Sequence, residues 1–141
     1  MEQRLSLITL GVSSLEASRA FYESLGWRAS ALSQGDVVFF QLNGIAISLY
    51  PHRLLAEDAK VSADRQGFSG VTLAHNCRSK EAVDKVFAQA LAAGGRALKP
   101  PEEAFWGGYS GYFADPDGHV WELAFNPHFP LDAGGSLVLP A

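Results

Sequence analysis

The chain has 141 residues, 48% of them hydrophobic, and a formal net charge of -4 at pH 7. This length and apolar content predict one globular domain, or two small modules that share a core. Scattered lysine and arginine argue against a nucleic-acid-binding face, and no apolar run approaches the roughly 20 residues of a membrane span. The N-terminus does not match a signal peptide, so we expect a cytoplasmic protein. The single cysteine, Cys77, excludes an internal disulfide and a cysteine-based zinc cluster.

The first fifty residues carry the pattern of a βαβββ module. Arg4 to Val12 is a β-rich run, and the segment SLEASRAFYESLGW has a serine cap (Ser13 or Ser14), apolar residues at helical spacing and Gly26 as its stop. Three short predicted strands follow, in WRASALS, DVVFFQL and GIAISLY. The turn NG between the last two is a strong hairpin signal. We predict the first module over residues 4–51.

The pattern changes after Pro51 and then recurs. Residues 52–67 are polar, with one or two helical turns around Leu54 to Lys60, and we interpret them as a connector. The second module is predicted over residues 68–127, with strands in FSGVTLAHN and RALKP, a serine-capped helix in SKEAVDKVFAQALAAGG, and a hairpin from YSGYFAD to HVWELAFN across DPDG. The helices of the two halves lie about 65 residues apart. Residues 128–141 are predicted to form an extended arm.

Alternation divides the predicted strands into a bulky apolar face and a face of small or polar residues. In HVWELAF, for example, Trp121 and Leu123 share one face and Glu122 lies on the other. We expect the apolar faces to pack beneath the helices and the polar faces to line a cavity. The residues predicted to converge on that cavity are Thr9, Ser48, Tyr50, Thr72 and Glu122.

An aromatic, glycine-rich segment, EEAFWGGYSGYF, precedes the last strand. Glycine in a strand often lets a ligand or another backbone come close, and aromatic rings with polar edges can bind a flat, partly apolar molecule. Core packing and cross-strand aromatic pairing account for the segment equally well. Trp106, Tyr109 and Tyr112 are the candidate ligand-binding residues, and Tyr112 is favoured over Tyr109 because the two differ in parity.

The connector offers one further candidate contact. Arg53 would be the natural partner of an acidic ligand if the connector closed over the cavity as a lid. A solvated linker is the alternative interpretation of this segment.

The two βαβββ halves, the opening LGVSSLEASRAFYESLGW and the ending YFADPDGHVWELAFNP resemble the vicinal oxygen chelate superfamily, over about residues 4 to 127. That superfamily includes glyoxalase I, bleomycin-resistance proteins, fosfomycin-resistance enzymes and extradiol dioxygenases. The resemblance implies an α+β fold of two βαβββ modules, whose curved mixed sheets surround a cavity, and it implies a homodimer. It does not choose an activity, because the scaffold hosts both enzymes and non-catalytic binders.

The resemblance also implies where a metal ion would bind. Metal-dependent members hold the ion with four side chains on inward strand positions. In this sequence those positions fall at Leu7, Ser48, Gly70 and Glu122. None of the histidines lies at such a position; they are His52, His75, His119 and His128. Only Glu122 matches, so we expect no cofactor, and Glu122 becomes a ligand-binding carboxylate, a lone general base or a group paired with an unidentified cation.

Three hypotheses follow. The first is a small-molecule-binding protein of this fold that lacks the full metal site and binds or sequesters a partly aromatic compound. The second is a metal-dependent, glyoxalase-like lyase or dioxygenase with a rearranged site that uses Glu122 and a displaced histidine. The third is a partner-binding domain without a small ligand. The sequence leaves open whether the protein is an enzyme.

Overall fold

A computed structural model describes residues 1–139 and contains three helices and seven strands there. The chain forms two compact units, Met1–Ser69 and Gly70–Ala141. The elements of the first unit are β1 (Leu7–Val12), α1 (Leu15–Ser24), β2 (Val38–Gln41), β3 (Ala46–Pro51) and α2 (His52–Asp58). Those of the second are β4 (Leu73–Asn76), α3 (Lys80–Ala92), β5 (Arg96–Glu103), β6 (Tyr109–Ala114) and β7 (Val120–Phe125). Within residues 1–139, none of the helices is both long and apolar enough to cross a bilayer.

The first unit packs α1 and α2 on a three-stranded sheet of order β1-β3-β2, in which β1 runs parallel and β2 antiparallel to β3. The predicted serine cap is Ser14, whose Oγ accepts a hydrogen bond from the Ala17 amide at 3.2 Å. The core is aromatic: Tyr22 stacks on Trp27 with ring centroids 4.9 Å apart, and Phe40 of β2 lies beside both rings.

The second unit repeats this plan with four strands in the order β4-β7-β6-β5, and β4 runs parallel to β7. Ser79 caps α3 through a 3.2 Å hydrogen bond from the Ala82 amide to its Oγ. The helix packs on β5, β6 and β7. Beneath it the rings of Phe113 and Trp121 are buried and stacked, with centroids 6.3 Å apart. The two-sheet α+β architecture agrees with the fold predicted from the sequence.

Two predicted strands in the first half differ in the structure. WRASALS was predicted as a strand but contributes only an isolated bridge, between Ala29 and Phe40. The reason is local, because the Ser33 hydroxyl accepts a hydrogen bond from the Phe39 amide at 2.9 Å and so takes the place of a ladder partner. The predicted turns near Leu54 are a regular helix, α2, which packs on β1 and β3.

The second half differs in strand length. The strand predicted from FSGVTLAHN begins only at Leu73, and Gly70 before it has a φ of +79°, which an extended strand does not allow. In contrast, β5 continues beyond RALKP to Glu103, with register shifts between Ala97 and Lys99 and between Lys99 and Glu102.

The C-terminal segment is tied to the second unit. The guanidinium of Arg78 donates to the carbonyls of Asp132 at 2.8 Å and Ala133 at 3.2 Å. Leu131 and Leu137 form an isolated bridge. The last two residues of the predicted arm, 140 and 141, lie outside the described residues.

Candidate functional site

The second sheet has two chemically different faces. Across β6 and β7, Phe113 lies opposite Trp121, and this buried pair faces α3. The next pair, Tyr112 opposite Glu122, therefore points to the other side of the sheet, as the alternation predicted. We call this side the polar face. Glu122 is half-buried there rather than part of the helix-packed core.

The polar face is organised in cross-strand rows. One row contains a residue from each strand, namely Ala74, Glu122, Tyr112 and Lys99. The neighbouring row is made of Asn76, Ala124, Ser110 and Glu102. Ala124 and Ser110 are each only 5% exposed. They form a floor of small side chains beside the longer Glu122 and Tyr112.

Glu122 and Tyr112 are cross-strand neighbours, and the carboxylate affects the ionisation of the phenol. Burial raises the pKa of the Tyr112 phenol, and the negative charge of Glu122 and a hydrogen bond to its carboxylate raise it further. The positive charge of Lys99 acts in the opposite direction. Tyr112 is thus a neutral donor at physiological pH. A carboxylate has about four lone-pair sites, so Glu122 can accept further hydrogen bonds from a ligand.

The turn between β5 and β6 carries Trp106. The Ala104 amide donates to the Gly108 carbonyl at 2.8 Å, and Gly107 has a φ of +88°, as in a hairpin with a glycine bulge. Strand alternation aims a side chain at position 108 toward the polar face, since 108 and 112 share parity. The Trp106 indole fills that space, because a Cβ on Gly108 would overlap its six-membered ring. Trp106 therefore covers the hairpin end of the polar face.

Tyr109 lies on the opposite face from Tyr112. Its hydroxyl donates to the Asp84 carboxylate on α3 at 2.8 Å. The sequence grouped Tyr109 with Trp106 and Tyr112 as ligand-binding candidates, and the structure separates it from them.

Gly111, in the same strand, allows close backbone packing rather than ligand approach, because a Cβ there would lie 2.7 Å from the Pro101 nitrogen in β5.

Two candidates of the first unit form a hydrogen-bonded pair. Thr9 and Ser48 are opposite each other on β1 and β3, and the buried Ser48 hydroxyl donates to the Thr9 hydroxyl at 2.8 Å. Tyr50 lies one row further along, opposite Gly11, and is half-exposed. Each hydroxyl of the pair thus already has a partner in the protein.

The predicted lid residue Arg53 is exposed on α2. This helix is docked on its own unit through the buried Ala56, so the start of the connector is neither a free linker nor an open lid. The following segment is tied to the same unit: His52 Nε2 lies 2.7 Å from the Ala63 carbonyl, and Arg65 donates to the Gly11 carbonyl at 3.0 Å.

The two halves repeat in structure, and this corrects one family position. Leu7 precedes the cap of α1, Ser14, by seven residues, and Thr72 precedes the cap of α3, Ser79, by seven. The equivalent of Leu7 is therefore Thr72, not Gly70, which was misplaced by two residues. Thr72 is exposed and comes directly before β4.

The strand pairing supports the same alignment. Thr9 and Ala74 each precede their helix cap by five residues, and they pair with Ser48 and Glu122, respectively. The equivalence of Ser48 and Glu122 that the resemblance implied is thus present in the strand register.

The corrected residue set does not fit the metal ion that the resemblance implies. Such ions take imidazole, carboxylate or thiolate ligands. Leu7 is a hydrocarbon, Ser48 and Thr72 are neutral hydroxyls, and Glu122 is the one strong ligand. His75 pairs with Leu123, on the face away from Glu122. Within each unit of the described chain, no three His, Cys, Asp or Glu side chains are grouped so that they could hold an ion.

Comparison with known proteins gives the family. The model of the Glyoxalase/Bleomycin resistance protein/Dioxygenase superfamily matches residues 4–123. The chain belongs to this superfamily. Among solved structures, it is similar to a glyoxalase-related enzyme from Fulvimarina pelagi, with 40% identity, a TM-score of 0.89 and 99% of each chain covered.

More distant structures share the glyoxalase-like fold. Hypothetical protein SA1046 from S. aureus is 25% identical, with a TM-score of 0.78 over 89% of this chain and 95% of that one. The lactoylglutathione lyase from Agrobacterium tumefaciens is 22% identical, with a TM-score of 0.66 over 89% of this chain and 96% of the other. No curated protein matches the chain.

Sequence reasoning missed part of the polar face. Lys99 joins the row of Glu122 and Tyr112 only because the irregular register of β5 brings it there, and the sequence has no clear signal for that shift. Ser110 and Ala124 could have been predicted from the sequence. Each is a small residue two positions from Tyr112 or Glu122, so strand alternation places it on the same face.

Proposed function

We propose that this glyoxalase-superfamily protein binds a small, flat, partly aromatic molecule on the polar face of its second sheet, without a bound catalytic metal. The main support is the donor set, in which Glu122 is the only carboxylate or imidazole at the four family positions. Glu122 instead lies opposite Tyr112 across β6 and β7, beside a floor of small side chains. Thr9 and Ser48 are hydrogen-bonded to each other, so we assign them a structural role.

The spacing of the two aromatic side chains supports an aromatic ligand. Trp106 lies over Gly108 and Tyr112 stands four residues further along the strand. At about 3.4 Å per residue, positions 108 and 112 are roughly 14 Å apart. Two successive aromatic contacts span about 9–14 Å between outer ring centres. One planar ring can therefore lie between them, over the floor of Ser110 and Ala124; we call this space the aromatic slot.

The negative charge of Glu122, at one end of the aromatic slot, indicates which functional group the ligand carries. The free lone pairs of Glu122 can accept hydrogen bonds from a ligand N–H group, and its charge favours a cation. The ligand class is accordingly an aromatic or heteroaromatic compound with an amine, amidine or ring N–H group. Whether the bound compound is sequestered or converted depends on whether Glu122 also takes a proton from it.

Titration calorimetry with aromatic amines (tryptamine, phenethylamine and 2-aminobenzimidazole) tests the proposal. At least one amine should bind saturably, and indole-3-propionate, which carries the opposite charge, should bind more weakly. Glu122→Gln and Trp106→Ala should each weaken binding about tenfold, or ~1.4 kcal/mol. Phe105→Ala, which removes the fully exposed neighbour of Trp106, is the matched control and should leave affinity unchanged. Absence of binding, or binding that is indifferent to both site variants, would overturn the proposal.

A second candidate function is a metal-dependent, glyoxalase-like reaction with a rearranged ligand set. It is favoured by one observation, the similarity to a glyoxalase-related enzyme at 40% identity. Metal analysis of protein purified without chelator separates the two candidates. One divalent ion per chain that disappears in Glu122→Gln would favour this candidate over metal-free binding.

The proposal includes a homodimer in the cytoplasm. Support for self-association comes from large apolar side chains on the surface, including Leu7, Leu32 and Leu137. Sedimentation equilibrium tests it, since a single species at the monomer mass of 15.2 kDa across micromolar concentrations would exclude the dimer.

A further inference from the structure

We propose that two polar contacts between α3 and the β5–β6 hairpin position Trp106, so that Lys80, Asp84, Glu103 and Tyr109 set the affinity of the aromatic slot without touching the ligand. The effect on affinity rests on the proposed function. The effect on Trp106 does not. We call the two contacts, Lys80–Glu103 and Asp84–Tyr109, the α3 clamp.

The two contacts of the clamp lie next to each other on α3 and on the hairpin. Lys80 Nζ lies 2.6 Å from a Glu103 carboxylate oxygen, and the Tyr109 hydroxyl donates to Asp84 at 2.8 Å. Lys80 and Asp84 are four residues apart, which places them on the same side of α3. Glu103 and Tyr109 are a directly opposed cross-strand pair. Two neighbouring side chains of the helix thus hold two neighbouring side chains of the hairpin.

The hairpin needs such support where it carries the slot. Glu103 and Tyr109 flank the turn that contains Trp106, so the clamp acts at the base of that turn. β5 is an edge strand, and its pairing with β6 is irregular between Lys99 and Glu102. The end of β5 therefore has a neighbouring strand, β6, on one side only. A contact from α3 restricts the hairpin, and through it the direction of the Trp106 indole.

The hydrogen bond to Asp84 also affects the ionisation of Tyr109. The hydrogen bond to Asp84 raises the pKa of the Tyr109 phenol, and the charges of Asp84 and Glu103 act in the same direction. The phenol is neutral at physiological pH and remains a donor. Each contact is exposed, so a single one contributes little, and the pair must act together to orient the turn.

Fluorine NMR of protein labelled with 5-fluorotryptophan tests the inference. Trp106 reports on the hairpin, and Trp121, buried in the core of the same unit, is the internal control. Tyr109→Phe with Lys80→Met should shift or broaden the Trp106 resonance and leave that of Trp121 in place. The same double variant should weaken tryptamine binding about fivefold, as expected for two exposed contacts. Arg19→Met, which breaks the comparable surface ion pair Arg19–Glu23 in α1, is the matched control for both readouts.

The outcomes separate the clamp from the proposed function. A moved Trp106 resonance supports the clamp even if wild-type protein binds no aromatic amine, a result that would overturn the proposed function alone. A Trp106 resonance that stays in place in the double variant, or that moves together with that of Trp121, overturns the clamp. Lys80→Glu alone should move the Trp106 resonance, and adding Glu103→Lys should return it to the wild-type position, which a general loss of stability would not allow.

Discussion

Ser18 provides a test of the first unit's packing, because its hydroxyl is fully buried. The residue lies in α1 with 0% exposure, and its Oγ has no hydrogen-bond partner among the described residues. The Ser18 amide already occupies the Ser14 carbonyl, at 3.0 Å, as a regular helix bond. Ser18→Ala removes the unpaired hydroxyl and leaves the backbone unchanged.

The expected gain in stability can be worked out from two contributions. A buried, unsatisfied hydroxyl costs about 1–3 kcal/mol, and alanine exceeds serine in helix propensity by about 0.5 kcal/mol. The small void left by the oxygen offsets part of this. We expect Ser18→Ala to raise the free energy of unfolding by about 1–2 kcal/mol, which corresponds to roughly 3–8 °C in Tm for a chain of this size.

Urea denaturation followed by circular dichroism measures the change, with Ser24→Ala as the matched control. Ser24 lies in the same helix, but its hydroxyl is exposed and donates to the Ala20 carbonyl at 2.8 Å. The control should stay within about 0.5 kcal/mol of the wild type. If Ser18→Ala is neutral or destabilising relative to the control, the Ser18 hydroxyl has a partner and the reasoning is wrong.

Three further predictions concern the close contacts of two glycines and the ionisation of one tyrosine. Gly11→Ala should destabilise the protein by about 1–3 kcal/mol in the same urea assay, because a Cβ at position 11 would lie 2.7 Å from Nδ1 of His52. Gly108→Ala should displace the Trp106 indole, seen as a moved fluorine resonance, and should weaken tryptamine binding about as much as Trp106→Ala; unchanged binding would refute the slot. The pKa of the Tyr112 phenol is raised, so the stability from its neutral form is complete below about pH 10, the ordinary tyrosine pKa, and is lost as pH rises above it. Absorbance titration of the wild type and Tyr112→Phe should therefore differ by a late-titrating phenol, and a difference below pH 10 would contradict the contact with Glu122.

Helices α1 and α3 and the two-fold pattern were predictable from local signals. Ser14 and Ser79 precede apolar residues at helical spacing, and both act as caps. Alternation in HVWELAF correctly placed Trp121 under the helix and Glu122 on the other side. These features depend on sequence neighbours, which is why a single sequence suffices for them.

The errors arose where distant or unusual backbone geometry decides the outcome. Gly70 was predicted to lie in a strand, but its φ is positive and β4 begins only at Leu73. The family position falls at Thr72 instead, because Leu7 and Thr72 each precede a helix cap by seven residues. Lys99 reached the row of Glu122 only through the irregular register of β5. The bond from Tyr109 to Asp84 on α3 depends on tertiary packing that local patterns do not contain.

Calorimetric titration of aromatic amines before and after dialysis against EDTA tests the central claim most directly. With protein purified without chelator, we predict saturable binding of at least one amine, with the same Kd in both titrations and about tenfold weaker binding in Glu122→Gln. Binding that disappears after EDTA and returns with a divalent ion would contradict the metal-free account, as would the absence of any binding.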